Sequence, residues 1–365
     1  MTNAKTISYK QLAALLMLSR LFSDGADFKA VETGYSMQRF TVIVVSSVIL
    51  FLLYLPLILL AQKRPSENVI SVICEKSKAL GWLCGLFITV VLLFSAVSTI
   101  CSMSLYSSST VFAKAPMILL VILPLAAAGL AAWKGIQGAA RSGVLFGGVL
   151  AAFLLFIIIS VWERFDWQWL YPGLLEEPEL FFGQVVRQLG RNSELLVFAV
   201  LMEYADKKAA YAVYWYIPSI MVLLILKLLI QMIVLGPCLN SSPFPFLTIS
   251  AMSDIVLFQR LDGINVGGWL LMCIVRTSLA LLCTRAVFTR LAGERTGKWS
   301  VWVGAVIIAL SSLLFVGSSN SVINIDGISS SWIILLSGGL LIPIIALIAA
   351  KAGKRGEEST HEKNG

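Results

Sequence analysis

The chain has 365 residues, of which 58% are hydrophobic and only 13% are charged. Soluble globular proteins carry about 25% charged residues, so this composition excludes that class and indicates a polytopic membrane protein. The formal net charge of +8 does not indicate a nucleic-acid partner, because the basic residues lie in short loops between apolar segments and in the C-terminal tail, as membrane orientation requires.

Ten apolar segments are long enough to cross a bilayer as helices, which takes roughly 17 to 25 residues each. They lie at about 6–22, 40–61, 81–109, 115–133, 143–162, 184–204, 211–235, 263–290, 299–317 and 330–350. We therefore predict an all-α membrane protein with a single domain over residues 1–365, in which 351–365 form a charged, disordered tail. The polar N-terminus shows no cleavage-like site, so the first span is expected to be retained.

Lys and Arg residues are concentrated in alternate loops when the spans are counted from the N-terminus. Cytoplasmic loops of membrane proteins carry the excess of positive charge. This bias predicts that both termini of the multi-pass protein are cytoplasmic.

The first span becomes polar at its C-terminal end, where Ser23, Asp24 and Gly25 follow one another. A break in a helix leaves backbone N–H and C=O groups free to bind carboxylates or cations. The three residues are therefore candidate ligand contacts. An ordinary exterior turn is an equally good interpretation, since Asp-Gly is a common turn signal.

Hydroxyl side chains form one face of the third span. Ser95, Ser98, Thr99, Ser102 and Tyr106 follow helical spacing. Such a face suits contact with a small polar ligand, and we count Ser98, Thr99 and Ser102 as candidates. Close packing of membrane helices uses the same small and hydroxyl residues, so this alternative stays open.

The sixth span, QVVRQLGRNSELLVFAVLMEY, is the most polar of the ten. The polar or helix-breaking residues of its first half are Arg187, Gly190, Arg191, Asn192, Ser193 and Glu194. Charged side chains at membrane depth cost about 2.5 to 3.5 kcal/mol each on insertion scales, so they face a protein interior. Residues 190–194 predict a broken helix that lines a ligand site. The alternative is that Arg191 and Glu194 neutralise each other and only hold the bundle together.

Arg276 lies in the middle of the eighth span, and Thr277 follows it. We include both residues among the ligand-binding candidates. The guanidinium would bind a substrate carboxylate, or act as a fixed positive charge where a transporter holds a coupling cation. Alternatively it pairs with Glu194 or another buried acid. Lys227 in the seventh span receives no ligand role, because its long stem reaches a polar partner without one.

Ten spans divide at residue 183 into two sets of five, about 6–162 and 184–350. Since five is odd, the second set is inverted relative to the first, as in many transporters with inverted repeats. In that arrangement the first helix of each repeat is discontinuous. The two most polar spans, one and six, occupy these matching positions.

Sequence motifs give no support for an enzyme. The six cysteines form no CxxC pair, the single histidine is His361 in the tail, and the HExxH, GxSxG, P-loop and GxGxxG motifs are absent. We therefore expect no catalytic residue, no metal site and no cofactor.

Three stretches together carry a specific resemblance: KTISYKQLAALLMLSRLF, NSELLVFAVLMEY, and FPF followed by SDIVLFQRLDGINVGGWLLMCIVRTSL. Over almost the whole chain they resemble the B subunit of spore germinant receptors. This is the endospore germination permease family, within the amino acid, polyamine and organocation transporter superfamily. One stretch departs from the family pattern: DGADFKAVETGYSMQRF, at residues 24–40, is polar and lacks proline.

The resemblance implies a LeuT-like fold of ten helices, with discontinuous helices 1 and 6. It also implies a location in the spore inner membrane, a germinant such as an amino acid or sugar as ligand, and a receptor complex with an A subunit and a lipoprotein C subunit. Two alternatives share the fold, which cannot separate them. One is a self-sufficient secondary amino-acid transporter, and the other is an assembly subunit with a degenerate cavity.

Overall fold

The computed structural model describes residues 6–25, 38–170, 178–206, 208–242, 244–252, 262–317 and 336–351. These ranges are helical apart from short connections and an isolated bridge between Ile7 and Ala205. The stretch 26–37 and the tail 352–365 lie outside the described residues. They include most of the polar stretch 24–40 that departs from the family pattern, and the C-terminal tail that the sequence predicts to be disordered.

Each of the ten apolar segments corresponds to a helix or, for the sixth, to a pair of helices. The helices of the first half are α1 (Tyr9–Gly25), α2 (Gln38–Lys63), α3 (Val69–Lys76), α4 (Lys78–Ser109), α5 (Met117–Lys134) and α6 (Ile136–Ser160). Those of the second half are α7 (Pro178–Gly190), α8 (Glu194–Leu201), α9 (Ala209–Leu235), α10 (Pro245–Ala251), α11 (Asp262–Ala292), α12 (Glu294–Phe315) and α13 (Gly338–Lys351).

Seven of these helices are long and apolar enough to cross a membrane: α2, α4, α5, α6, α9, α11 and α12. Large apolar side chains on their outer faces are exposed, among them Leu145 at 65%, Ile159 at 72% and Leu314 at 81%. In a membrane protein such side chains face lipid. The all-α membrane architecture predicted from the sequence is therefore confirmed.

The apolar half of the sixth span and much of the first span lie inside the protein. All eight residues of α8 are buried, and α1 packs against α6, α9 and α11. A helix that is surrounded by protein need not present apolar groups to lipid on every side, so the polar groups of α1 find partners on neighbouring helices. The polar half of the sixth span, α7, is partly exposed, with Phe182 at 75% and Val186 at 41%.

The sixth span is interrupted, as the sequence predicted. The first part, α7, ends at Gly190, and α8 begins at Glu194. Asn192 closes the end of α7 because its Nδ2 donates to the carbonyls of Gln188 at 3.0 Å and Leu189 at 3.1 Å. The main-chain N–H of Asn192 also donates to the Leu189 carbonyl, at 3.0 Å, so both carbonyls at the end of α7 are satisfied.

The first span is helical as far as the structure describes it. From Tyr9 to Gly25 α1 has no interruption, and Ser23, Asp24 and Gly25 form its last described turn. Residues 26–37, where a second part of a discontinuous helix would follow, lie outside the described residues. The turn is stabilised at its end by a cation, since Lys227 Nζ donates to the main-chain oxygen of Asp24 at 3.2 Å. Positive charge is favoured at a helix C-terminus, so Lys227 stabilises this end of α1.

The end of the bundle where α1 begins is closed by main-chain pairing and by an ion pair. Ile7 N donates to Tyr204 O at 2.9 Å, and Asp206 N donates to Ile7 O at 3.1 Å. Close by in the sequence, Glu203 Oε2 accepts from Arg290 Nε at 3.0 Å and from Arg290 Nη2 at 2.8 Å. These contacts tie the N-terminal segment, α8 and α11 together at this end.

Candidate functional site

The guanidinium of Arg276 is the centre of a buried polar network where α1, α4, α8 and α11 meet. Its Nη1 lies 2.6 Å from Glu194 Oε1 and 2.8 Å from the main-chain oxygen of Ser19. Its remaining donors are satisfied by hydroxyl groups: Nε donates to Thr99 at 3.1 Å, and Nη2 donates to Ser95 at 3.0 Å and Ser193 at 2.9 Å.

Glu194 has no solvent exposure, and Arg276 is only 8% exposed. The Glu194 carboxylate also accepts a hydrogen bond from Ser19 Oγ at 2.7 Å. Removing either partner of such a buried ion pair is strongly destabilising, because the remaining charge would be left without compensation in an apolar interior. The pair fixes α8 to α11, and Ser19 adds α1 to the same unit.

The structure selects among the interpretations that the sequence left open. Glu194 pairs with Arg276 at 2.6 Å, whereas the alternative drawn from the sequence paired it with Arg191. The reason is the interruption at residues 191–193, which removes the helical face that the two residues would have shared. Arg276 pairs with an acidic side chain of the protein, Glu194, which is the second of the two interpretations given for it above.

The hydroxyl face of the third predicted span is divided between two environments. Thr99 contacts Arg276 directly, and its own hydroxyl donates to the Ser95 carbonyl at 2.8 Å. Ser98 and Ser102 are buried on the same helix, and Thr277 is buried on α11. The Ser98, Ser102 and Thr277 side chains are not among those that line the cavity described next, so their ligand role stays a prediction.

A cavity of about 90 Å³ lies beyond the network, at the end of the bundle where α1 ends. Its walls come from α1, α2, α4, α7, α9, α10 and α11, together with Arg191 and with Phe244 just before α10. Four of the described lining residues are cationic and one, Asp24, is acidic. The cationic ones are Arg39, Arg187, Arg191 and Lys227.

Amide and aromatic side chains complete the lining of this cavity. The amides are those of Gln184, Gln188 and Gln231. Tyr106 and Trp269 stack with ring centroids 4.8 Å apart, and Phe244 meets Tyr106 edge to face at the same distance. Positive charge, amides and a rigid aromatic wall together suit a small ligand that has an anionic group and an apolar part.

Lys227 is a lining residue for which the sequence predicted no ligand role. Its Nζ lies 2.6 Å from Asp24 Oδ2, and Gln188 Nε2 donates to Asp24 Oδ1 at 3.4 Å. The signal in the sequence was a lysine inside an apolar span, which requires a partner. That partner, Asp24, lies 203 positions away and was read as a residue of a helix break or turn.

Arg20 was also missed, because it falls at the polar end of the first predicted span. The side chain is 2% exposed, and its Nη2 donates to Gln188 O at 3.4 Å. In the described part of the chain, Nη1 has no hydrogen-bond partner. Arg20 therefore adds a further buried positive charge next to Gln188, one of the residues that line the cavity.

The interrupted helix connects the cavity to the buried network. Arg191 lines the cavity, and its main-chain oxygen accepts a hydrogen bond from Ser23 Oγ at 3.3 Å. Two residues later, Ser193 binds Arg276. Between them, Asn192 Oδ1 accepts from Tyr216 of α9 at 3.4 Å. Only two peptide units therefore separate residue 191, on the cavity lining, from Ser193 in the Arg276 network.

Solved structures of transporters share this fold. A substrate-bound, outward-open Na⁺-coupled sialic acid symporter is 12% identical, with a TM-score of 0.67 over 95% of this chain and 79% of its own. Mhp1, a nucleobase-cation-symport-1 family transporter in a closed conformation with bromovinylhydantoin bound, is 14% identical, with a TM-score of 0.65 over 95% and 91%. A manganese transporter from Eremococcus coleocola is 13% identical, with a TM-score of 0.54 over 94% and 85%.

These identities are low, and the likeness shows the fold alone, which is that of the LeuT-like transporters. No protein of curated function matches the sequence. Residues 29–320 match the family model named spore permease, described as a spore germination protein. This match covers most of the chain and includes the interrupted helix, Arg276 and Lys227. The protein belongs to the spore germination permease family and has a LeuT-like, all-helical membrane fold.

Proposed function

We propose that this protein is the nutrient-sensing membrane subunit of a spore germinant receptor. A small germinant binds in the cavity at the end of α1 and triggers germination together with partner subunits. The observation that carries this proposal is that Arg191 belongs both to the cavity lining and to the interrupted helix. A ligand that contacts Arg191 acts directly on the segment that holds the core network.

The lining favours a ligand with a carboxylate over an uncharged sugar. Arginine and lysine form their strongest hydrogen bonds with carboxylates and phosphates. A second cavity of about 80 Å³ has an almost wholly apolar lining and shares Lys227, Phe246 and Trp269 with the first. We therefore propose an amino acid whose carboxylate lies among the cationic residues and whose apolar side chain points toward this second cavity.

Orientation follows from the distribution of Lys and Arg among the loops, which puts both termini in the cytoplasm. The cavity is then reached from the outer side of the membrane, where α1 ends. We place the protein in the spore inner membrane, with the receptor A subunit and the lipoprotein C subunit as its partners. In this arrangement the germinant arrives from outside and the signal passes to the partners without a catalytic step.

The receptor complex provides the test of nutrient binding. Its thermal unfolding is measured with alanine, leucine, glutamine, glucose and acetate, each over a range of concentrations. We expect saturable stabilisation by an apolar amino acid and none by glucose, because a ligand that binds only the folded state raises its stability. Absence of stabilisation by any amino acid would contradict this ligand class.

A pair of charge-removing variants tests whether the nutrient response depends on the cations of the cavity or on surface charge in general. Arg187→Gln removes a cationic group of the lining, whereas Lys298→Gln removes an exposed one that pairs with Glu294. Spores that carry Arg187→Gln should need a higher nutrient concentration for half-maximal germination, and Lys298→Gln spores should respond as wild type. Uptake of labelled amino acid by the protein alone in liposomes would instead favour a self-sufficient transporter.

A further inference from the structure

The oxygen atoms around the Arg276 guanidinium are of the kinds that bind hard cations. They are one carboxylate oxygen, one main-chain carbonyl oxygen and four hydroxyl oxygens, and we call them the oxygen cage. Its members are Glu194 Oε1, Ser19 O and the hydroxyls of Ser19, Ser95, Thr99 and Ser193, all within 3.4 Å of an Arg276 nitrogen. Carboxylates and carbonyls are the preferred ligands of hard cations.

The place of the cage in the fold is also that of an ion site. Its ligands come from α1, from α4 and from the interruption before α8. In transporters with broken helices, carbonyls and half-helix ends next to the interruption hold Na⁺ or a proton. Here the interruption contributes Ser193, and the residue after it contributes the carboxylate of Glu194.

The oxygen cage has a net charge of −1, so one positive charge neutralises it. Glu194 is the acidic member, it has no solvent exposure, and its charge is matched by the single charge of Arg276. The second carboxylate oxygen, Glu194 Oε2, is buried and has no hydrogen-bond partner in the described part of the structure. An ion in the cage would have this oxygen as a further ligand. A monovalent cation would restore neutrality, whereas a divalent cation would leave an uncompensated charge.

We propose that Arg276 is a resident cation, covalently part of the chain, that occupies a site for a monovalent ion. The guanidinium does for the fold what Na⁺ does in an ion-coupled transporter: it neutralises Glu194 and joins α1 and the interrupted helix to α4 and α11. The protein therefore needs no coupling Na⁺ for its stability. Removal of the guanidinium converts the cage into a Na⁺ site. The proposal does not depend on which nutrient binds in the outer cavity.

The test compares the melting temperature of the detergent-solubilised full chain in NaCl and in N-methyl-D-glucamine chloride at equal ionic strength. The wild-type protein should melt at the same temperature in both salts. Arg276→Ala should melt lower than wild type and should gain about 2 °C or more, saturably, as Na⁺ replaces the organic cation. N-methyl-D-glucamine is too large to enter the cage.

The matched control is the double variant Arg276→Ala, Glu194→Gln. It loses the same packing around residue 276 but has no carboxylate charge in the cage, so its melting temperature should not respond to Na⁺. A response equal to that of the single variant would show that Na⁺ acts elsewhere and would overturn the proposal.

Two further results would count against a resident cation. A saturable Na⁺ response of the wild-type protein would mean that the guanidinium leaves an ion site unfilled, and this measurement requires no variant to fold. Arg276→Ala protein that elutes as an aggregate in both salts, or that folds but ignores Na⁺, would show that the cage cannot hold the ion. Recovery of a monodisperse species only in NaCl would support the proposal.

Discussion

Arg276 and Glu194 lie 82 positions apart in the chain, yet their side chains meet at 2.6 Å in the most enclosed part of the protein. Arg276 belongs to a long continuous helix, and Glu194 is the first residue after the interruption. The pair therefore holds the interrupted helix against a continuous one. Ser19 joins α1 to the pair through its carbonyl and its hydroxyl.

Replacing one member of this pair should be costly, and replacing both should be much less so. Glu194→Gln leaves the guanidinium without its counter-charge, and we expect a loss of about 3 to 5 kcal/mol in the free energy of unfolding. The double variant Glu194→Leu, Arg276→Leu removes both charges together. Measured by chemical unfolding in detergent, it should be more stable than either single leucine variant. Additive losses in the double variant would mean that the two side chains do not depend on each other.

The contact between Lys227 and Asp24 predicts a second effect, on both stability and ligand response. Lys227→Met removes an ammonium that binds the carboxylate and the terminal carbonyl of α1. The two side chains are 21% and 18% exposed, so solvent screens part of the interaction, and we expect a loss of about 1 kcal/mol.

The functional readout for Lys227→Met is the nutrient concentration that gives half-maximal germination. It should rise, because Lys227 lines both cavities. Lys134→Met, which removes an exposed lysine at the end of α5 that lines neither cavity, is the control and should leave the dose-response unchanged. An unaltered response in Lys227→Met spores with normal protein levels would exclude Lys227 from the ligand site.

Much of this fold can be predicted from the sequence, because a membrane imposes simple requirements on length and hydrophobicity. The spans showed as apolar runs, and the interruption at Gly190 showed as charge inside a span. Periodicity also gave the hydroxyl face of α4, of which Ser95 and Thr99 contact Arg276.

The partners of the charged residues could not be predicted, because they depend on long-range contacts. Arg191 and Glu194 are close in sequence and seemed a natural pair on a regular helix. The interruption between them sends Arg191 to the cavity and Glu194 to Arg276. The contact between Lys227 and Asp24 likewise requires the packing of α1 against α9, which no local pattern records. Arg20 was missed because nothing near it in the sequence distinguishes a buried arginine from an interfacial one.

Gly190 provides a test of the interruption itself. It is the last residue of α7 and is buried. Gly190→Leu introduces a large side chain next to the segment that carries Arg191 and Ser193, so we expect it to shift the nutrient concentration for half-maximal germination while membrane insertion stays normal. The check is a dose-response of spores with equal amounts of receptor. An unchanged curve would place the ligand site away from this segment.

Asn192 should contribute to stability through the carbonyls at the end of α7. Asn192→Ala removes two donated hydrogen bonds and the acceptor of the Tyr216 hydroxyl. Buried polar groups that lose a partner cost about 1 to 3 kcal/mol, and we expect a loss in this range. Tyr216→Phe in the Asn192→Ala background should cost less than in the wild-type background. Equal costs in the two backgrounds would show that the 3.4 Å contact contributes nothing.

The last prediction concerns the closed end of the bundle. Arg290 donates two hydrogen bonds to Glu203, which is only 6% exposed. Glu203→Gln removes the charge that holds Arg290, so this end should open more often. Cys283 is a suitable reporter, since it is completely buried on α11 and its Sγ lies 4.0 Å from the Val197 carbonyl of α8. We expect maleimide labelling of Cys283, resolved by mass spectrometry, to be several-fold faster in Glu203→Gln than in wild type.

Cys238 is exposed at the opposite end, and its labelling rate should not change. Equal acceleration at both cysteines would indicate general destabilisation of the protein, and no acceleration at Cys283 would mean that the pairing of Ile7 with Tyr204 and Asp206 closes this end without the ion pair.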